Sequence, residues 1–109
     1  MIDKNSKIYI AGHRGLVGSA IEKELLREGF SNVIVQTSSK LDLGNREDTL
    51  AFFEREKPEY VFLAAARVGG IKANLDFPAT FFYDNLQIQM NVIDSAKLSN
   101  VRKLLNISC

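Results

Sequence analysis

Three glycines spaced three residues apart constrain this chain more than any other feature of its sequence. Gly12, Gly15 and Gly18 come directly after the apolar run of residues 7–11 and directly before residues 16–28, where apolar side chains recur at helical spacing. This order predicts a strand, a tight turn and a helix. Gly12 permits a sharp exit from the strand, Gly15 lets a diphosphate approach the main chain, and Gly18 lets the helix pack closely on a sheet. The alternative is that the glycines only form a tight strand-to-helix turn.

The rest of the chain alternates short apolar runs with helical patterns. We predict further strands at residues 32–36, 40–43, 60–66 and 103–107, and helices at residues 45–56 and 78–98. Strands that alternate with helices form a parallel sheet through right-handed crossovers, covered on both faces. The prediction is therefore an α/β doubly wound sheet, the Rossmann dinucleotide-binding fold, over residues 1–109. Its ligands are expected at the carboxyl ends of the first and fourth strands, where the winding reverses.

The predicted helices carry signals at their ends. Gly29 is placed to terminate the first helix, and Asn45 to cap the second, with Asp48 as a partner and Pro58 as the stop. The last helix has a proline in its first turn and four apolar residues at helical spacing: Pro78, then Phe82, Leu86, Met90 and Ile93.

Composition narrows the classes of partner. The 109 residues carry a formal net charge of +1, with acidic and basic residues interleaved, so no global field draws the chain to nucleic acid or to a membrane. A small-molecule partner is expected. No run is long enough to cross a bilayer and the N-terminus lacks a signal core, which favours a cytoplasmic location. The single cysteine, Cys109, allows neither an intrachain disulfide nor a cysteine-based zinc site.

The choice between NAD and NADP is normally made at the end of the second strand, where a carboxylate binds the ribose 2′-hydroxyl and repels a 2′-phosphate. Residues 36–40 contain no acid. Arg14 and Lys40 supply positive charge there, and Ser38 and Ser39 supply hydroxyl donors. NADP is favoured, although both cations also fit an ordinary solvated surface.

Other candidate residues have two interpretations each. Asp42 either accepts a hydrogen bond from the adenine amino group or forms an Asx turn. The alanines at residues 64–66 let a ribose lie against the main chain, or serve helix packing alone. His13, the only histidine, is a surface imidazole rather than an acid or base because it lies in the phosphate loop. Asn85 and Asn91 lie within a predicted helix, a position that asparagine disfavours unless its amide bonds to neighbouring main chain. Asn85 either joins the helix to the fourth or fifth strand or is exposed.

Residues 11–21, 41–43 and 64–71, together with residues 73–74, 78–79 and 103–105, resemble the GDP-L-fucose synthases over essentially the whole chain. That family belongs to the extended short-chain dehydrogenase/reductases of nucleotide-sugar metabolism. The resemblance implies an oxidoreductase and isomerase that converts GDP-4-keto-6-deoxy-mannose to GDP-L-fucose, with NADPH as cofactor and a homodimer as assembly. It also implies that Arg14 contacts the 2′-phosphate region, that residues 38–43 line the adenosine and that residues 68–74 border the substrate pocket.

Pattern and resemblance together predict one set of cofactor-binding residues: Gly12, His13, Arg14, Gly15, Leu16, Val17, Gly18, Ser38, Ser39, Lys40, Leu41, Asp42, Leu43, Ala64, Ala65, Ala66, Ile107 and Ser108.

The chain also departs from the family pattern. Ser38 stands where the family often carries a second arginine, which weakens the preference for NADP. Ungapped counting places Cys109 at the position of the family's active serine, and Ser108 takes that role only with a local shift. The family's Tyr-x-x-x-Lys pair, further cysteine, histidine and substrate domain do not occur in these residues.

We therefore interpret the chain as an N-terminal portion that is inactive alone. Ending after the last strand is expected to leave an apolar face and a strand edge uncovered, and so to favour self-association. The rival interpretations are a non-enzymatic NADP-binding module and an NAD-dependent sugar epimerase or dehydratase.

Overall fold

A computed structural model of the chain describes residues 3–65 and 78–107. Its elements run β1 Ile8–Ala11, α1 Leu16–Arg27, β2 Val33–Ile34, α2 Arg46–Glu56, β3 Tyr60–Leu63, α3 Pro78–Leu98 and β4 Lys103–Asn106. The described strands form one parallel sheet in the order β2-β1-β3-β4. The predicted doubly wound α/β fold is confirmed.

The strand order fixes where the winding reverses. β1 pairs with β2 on one side and with β3 on the other, with Tyr9 opposite Val61 and Ala11 opposite Leu63. After β1 the chain moves outward to β2 and then returns across β1 to form β3. In a sheet of this order the carboxyl ends of β1 and β3 mark the switch point of the winding, the edge where the sequence places the ligand.

The predicted third strand at residues 40–43 is wrong. The amides of Lys40 and Leu41 donate to the carbonyl of Thr37 at 3.0 and 2.9 Å, and the Asn45 amide donates to the Asp42 carbonyl at 3.0 Å. Because these main-chain groups are bonded locally, the segment turns instead of joining the sheet. Leu41 is only 7% exposed and packs in the core, while Asp42 is exposed. The alternation that suggested a strand belongs to a loop with one side against the core.

The predicted helix signals are confirmed. Asn45 caps α2 by accepting a hydrogen bond from the Asp48 amide at its side-chain oxygen, and Lys57, directly before Pro58, leaves the helix in the left-handed conformation. Gly29, with φ +94°, follows the C-cap of α1. Each is a local arrangement, so nearby sequence suffices to determine it.

An aromatic cluster fastens α2 to the sheet. The Tyr9 ring of β1 lies 4.7 Å from the Phe52 ring and 5.7 Å from the Phe53 ring, centroid to centroid, and all three side chains are buried. Burial raises the pKa of the Tyr9 phenol above its ordinary range. Tilted and edge-on aromatic pairs of this kind contribute roughly 0.5–1.5 kcal/mol each beyond the area they bury. The cluster holds the second half of α2 at a fixed place beside β1.

The helix α3 is confirmed, but the spacing that predicted it marks its outer side. Leu86, Met90 and Ile93 are 49%, 58% and 44% exposed. The buried side is formed by other residues: Ile88, Asn91, Val92, Ser95 and Ala96. The side that packs on α2 and β3 therefore mixes apolar and polar residues, so apolar spacing alone does not identify it.

Two further features concern the edge strand and the helices. β4 lies at the edge of the described sheet, and its Leu105 is 55% exposed. Within the described residues, no helix combines the length and the apolar character that spanning a membrane requires.

Candidate dinucleotide-binding site

The turn after β1 depends on glycine at residue 12. Gly12 has φ +90°, a conformation that side chains disfavour, and a β-carbon there would lie 2.6 Å from the amide nitrogen of Ala65. The Gly15 amide donates to the Gly12 carbonyl at 3.1 Å and so closes the turn. The predicted sharp exit at Gly12 is present, and it depends on the end of β3 as well as on local conformation.

The start of α1 packs onto this turn. Gly18 is buried, and a β-carbon on it would overlap the main chain of Gly12. Gly15 differs, because among the described residues a β-carbon there would meet only the Gly12 carbonyl oxygen, at an ordinary 3.5 Å. The three glycines therefore serve different purposes: Gly12 and Gly18 permit packing within the protein, whereas Gly15 leaves an open surface.

The first turn of α1 offers amides without partners. Gly15 is the N-cap and makes no side-chain capping bond, and the first helical bond runs from the Ser19 amide to the Gly15 carbonyl at 2.9 Å. Among residues 3–65 and 78–107, no acceptor takes the amides of Leu16, Val17 and Gly18. The first turn also contains no acidic residue. Free amides at the positive end of a helix dipole form a binding site for an anion such as a diphosphate.

The neighbouring strand ends meet at the same edge. The Ala64 amide donates to the Ala11 carbonyl, and the Ile107 amide to the Leu63 carbonyl, both at 2.9 Å. Ala64, Ala65 and Ile107 are partly exposed there. A ligand held at the glycine turn would therefore have small side chains and main chain beside it along this edge.

The loop at residues 37–45 forms the other flank. Ser38, Ser39 and Lys40 are exposed, and the Ser39 hydroxyl lies 3.0 Å from that of Thr37. The Asp42 carboxylate accepts a hydrogen bond from the Gly44 amide at 2.9 Å, so the predicted Asx turn is present. Because the side chain of Leu41 lies in the core, any contact it makes with a ligand comes from its main chain.

The glycine turn also contains Arg14, the residue predicted to supply positive charge. Arg14 is exposed and Leu16 is 89% exposed, while His13 is partly buried. Arg14 directly precedes the N-cap, so its positive charge adds to that of the helix terminus. Four sequence-predicted regions lie outside the described residues: Ala66, residues 68–74, Ser108 and Cys109.

Sequence reasoning missed one contact that shapes this flank. The buried side chain of Asn91 in α3 donates to the Leu43 carbonyl at 2.8 Å, 48 residues away in the chain. An asparagine inside a helix signals a hydrogen bond to main chain, but no local spacing reveals which carbonyl accepts it.

The fold and the glycine turn are those of the Rossmann-like, NAD(P)-binding class of folds, and comparison with known families agrees. Residues 8–109 match the model of the NAD dependent epimerase/dehydratase family, and the chain belongs to that family.

Individual relatives are more specific. The chain is 58% identical over 106 residues to a probable GDP-L-fucose synthase 1 of Oryza sativa, covering 96% of this chain and 32% of the relative. It is 43% identical to the GDP-L-fucose synthase of Escherichia coli, covering 91% of this chain and 31% of that protein. The resemblance to GDP-L-fucose synthases is confirmed, and the chain spans about a third of the length of these relatives.

A solved structure shares the fold closely. The GDP-mannoheptose C4 reductase MlghC of Campylobacter jejuni, solved with NADP bound, superimposes with a TM-score of 0.92 at 47% identity, covering 97% of this chain and 33% of that one.

Proposed function

We propose that this chain is the NADP-binding N-terminal part of a nucleotide-sugar reductase and epimerase of the GDP-L-fucose synthase type. The observation that carries the proposal is the glycine turn, where three amides at the start of α1 have no acceptor among the described residues and Gly15 leaves an open surface. The high identity to GDP-L-fucose synthases supports the substrate class, GDP-4-keto-6-deoxy-mannose.

The predicted cofactor-binding residues assign each part of a dinucleotide to its own place along the carboxyl edge of the sheet. The diphosphate binds the amides of Leu16, Val17 and Gly18, the adenosine lies along residues 38–43, and the nicotinamide ribose lies beside Ala64, Ala65 and Ile107. NADPH, when bound, supplies a hydride to a ketone. The chain's own residues bind and orient it at the carboxyl edge of the sheet, which brings the cofactor to the place where a substrate can meet it.

NADP is the preferred form of the cofactor. An acid that repels a 2′-phosphate is missing from residues 36–40, and Arg14 and Lys40 attract one. A guanidinium gives a phosphate two parallel hydrogen bonds, so Arg14 is the stronger of the two contacts.

We infer that the chain alone binds cofactor without turning over substrate. None of its three tyrosines, Tyr9, Tyr60 and Tyr83, is followed four residues later by lysine. A ketone reduction needs an acid aligned with the hydride donor, and a site without that acid binds the cofactor only. We place Ser108 or Cys109 near the position of the family's active serine.

The protein is further proposed to act in the cytoplasm and to self-associate, as a homodimer in its full-length form. Four outward residues of α3 form a line of apolar and aromatic surface that supports self-association: Tyr83, Leu86, Met90 and Ile93.

A second candidate is a reductase of GDP-linked heptoses. It is favoured by the 47% identity and 0.92 TM-score to a GDP-mannoheptose C4 reductase, an identity that lies between the 43% and 58% found for two GDP-L-fucose synthases. Both candidates use the cofactor site in the same way and differ in the sugar they reduce.

Calorimetric titration of the 109-residue chain with NADPH and with NADH tests the cofactor site. NADPH is expected to bind, and NADH to bind more weakly. A chain that is folded by circular dichroism but binds neither would overturn the proposal. Protein from the complete reading frame then separates the two candidates, because it oxidises NADPH with either GDP-4-keto-6-deoxy-mannose or a GDP-4-keto-heptose.

A further inference from the structure

The amide of Asn91 is held at both ends. Its nitrogen donates to the Leu43 carbonyl at 2.8 Å, and its oxygen accepts from the Gln87 side chain, one helical turn earlier, also at 2.8 Å. Asn91 is 1% exposed. A buried amide with both ends bonded has one orientation, so its donor points permanently at Leu43.

Asn91 is the principal donor to that carbonyl. The Thr49 hydroxyl also approaches the Leu43 oxygen, at 3.4 Å, but it lies 2.7 Å from the Asn45 carbonyl. A hydroxyl has a single proton, which goes to the nearer and better acceptor. The orientation of the Leu43 carbonyl therefore depends mainly on Asn91.

One rigid peptide plane connects this carbonyl to the Asp42 carboxylate. The C=O of Leu43 and the N–H of Gly44 belong to the same planar peptide unit, so fixing one fixes the other. The Gly44 N–H in turn donates to the Asp42 carboxylate at 2.9 Å. Asn91 thus reaches Asp42 through two hydrogen bonds and one plane, although the two residues lie on different elements.

We propose that Asn91 is a positioning residue for the adenosine end of the cofactor site. This rests on the proposed function, in which Asp42 faces the adenosine. Asn91 orients the Leu43–Gly44 peptide so that its N–H holds the Asp42 carboxylate in the direction that accepts from the adenine amino group. The site then meets the adenosine already ordered, and binding does not have to restrict the loop.

The test is a double-mutant cycle on the protein from the complete reading frame, with 2′,5′-ADP as the probe and calorimetry as the readout. Asn91→Leu removes the donor at similar volume, and Asp42→Ala removes the carboxylate. Each single variant is expected to bind the probe about threefold to tenfold more weakly. The double variant is expected to bind no more weakly than Asp42→Ala alone, because Asn91 acts through Asp42.

Several outcomes overturn the inference. One is additive losses in the double variant, which would indicate a general structural role for Asn91. Another is an Asn91→Leu variant with unchanged affinity. A third is an Asp42→Ala variant with unchanged affinity, which would leave Asn91 nothing to position.

The matched control is Asp94→Asn. It breaks the ion pair between Asp94 of α3 and Arg46 of α2 without touching the Leu43 carbonyl. We expect unchanged affinity for the probe; a loss equal to that of Asn91→Leu would assign the effect to helix packing. Should Asn91→Leu fail to fold, Gln87→Leu is the milder variant, because it lets the Asn91 amide turn over. Gln87→Leu is expected to weaken the binding of the probe about two- to threefold. Unchanged affinity in Gln87→Leu would overturn the inference.

A second readout separates this inference from the proposed function. In ligand-free protein, the NMR signal of the Gly44 amide is expected to shift in Asn91→Leu, while that of Gly15 stays in place. If the wild-type protein binds no probe, the proposed function fails, and the Gly44 signal still reports whether Asn91 controls that amide. An unmoved Gly44 signal overturns the inference whether or not the probe binds.

Discussion

Gly18 faces Gly12 so closely that a β-carbon at residue 18 would lie 2.6 Å from the Gly12 carbonyl carbon. Gly12 has no room to withdraw, because its other side meets the main chain of Ala65. We expect Gly18→Ala to lower the free energy of unfolding by roughly 1–3 kcal/mol, the usual cost of forcing extra volume into a packed site. Urea denaturation measures this directly, and a stability equal to wild type would show that α1 can move away from the turn.

Gly15→Ala is expected to keep the fold and lose the cofactor. At φ −74° residue 15 accepts a side chain without strain, and the nearest atom to its β-carbon is 3.5 Å away. Alanine is a poorer N-cap than glycine, so the free energy of unfolding is expected to fall by about 1 kcal/mol or less. The added methyl group occupies the surface where the diphosphate approaches, so NADPH affinity is expected to fall at least about tenfold.

Fluorescence titration with NADPH gives the affinity of the Gly15 variant, and Gly18→Ala serves as its counterpart. The two substitutions add the same methyl group three residues apart: Gly15→Ala places it on the surface that the ligand approaches, and Gly18→Ala places it between α1 and the turn. An unchanged NADPH affinity in Gly15→Ala would mean that the phosphates do not approach this turn.

Arg14→Ala is expected to weaken the binding of NADPH about tenfold and to leave the affinity for NADH unchanged. Arg14 is exposed directly before the N-cap of α1, where its guanidinium can bind a 2′-phosphate that NADH lacks. Parallel titrations with the two cofactors measure the difference. Lys23→Ala, which removes an exposed cation from the same helix, is the control for a general loss of charge. Equal losses for NADPH and NADH would assign Arg14 to the diphosphate instead.

The first strand, the turn and α1 could be predicted because their signals are local. Strand residues, glycine spacing and helix caps each act within a few positions, and the structure follows them from Ile8 to Gly29. The predicted third strand failed for a related reason. Leu41, Asp42 and Leu43 alternate as a strand does, yet the main-chain bonds to Thr37 close a turn that periodicity cannot detect.

Contacts between distant segments were beyond sequence reasoning. Apolar spacing predicted α3 but not the side it buries, because Leu86 and Met90 are as hydrophobic as the buried Val92. The bond from Asn91 to Leu43 joins residues that only the tertiary fold brings together. Asparagine inside a helix marked the position as unusual, and the partner remained unknown until the loop was placed.

The ion pair between Lys7 and Glu56 gives a prediction for stability against pH. Lys7 Nζ lies 3.0 Å from Glu56 Oε1, with the side chains 30% and 26% exposed, and Lys7 first, then Arg55, lowers the pKa of Glu56. A carboxylate with a lowered pKa stabilises the fold above its unfolded value of about 4.3, and this contribution is lost as the pH falls from there through the folded value.

Glu56→Gln is therefore expected to unfold more easily than wild type at neutral pH, by at most about 1 kcal/mol for a pair this exposed. The two proteins should converge in stability as the pH falls below about 4.3, because wild-type Glu56 then also becomes neutral. Thermal melts from neutral pH into the acid range measure the difference, with Glu54→Gln as an exposed control on the same helix. A difference that stays constant with pH would mean that lost packing, and not lost charge, causes the effect.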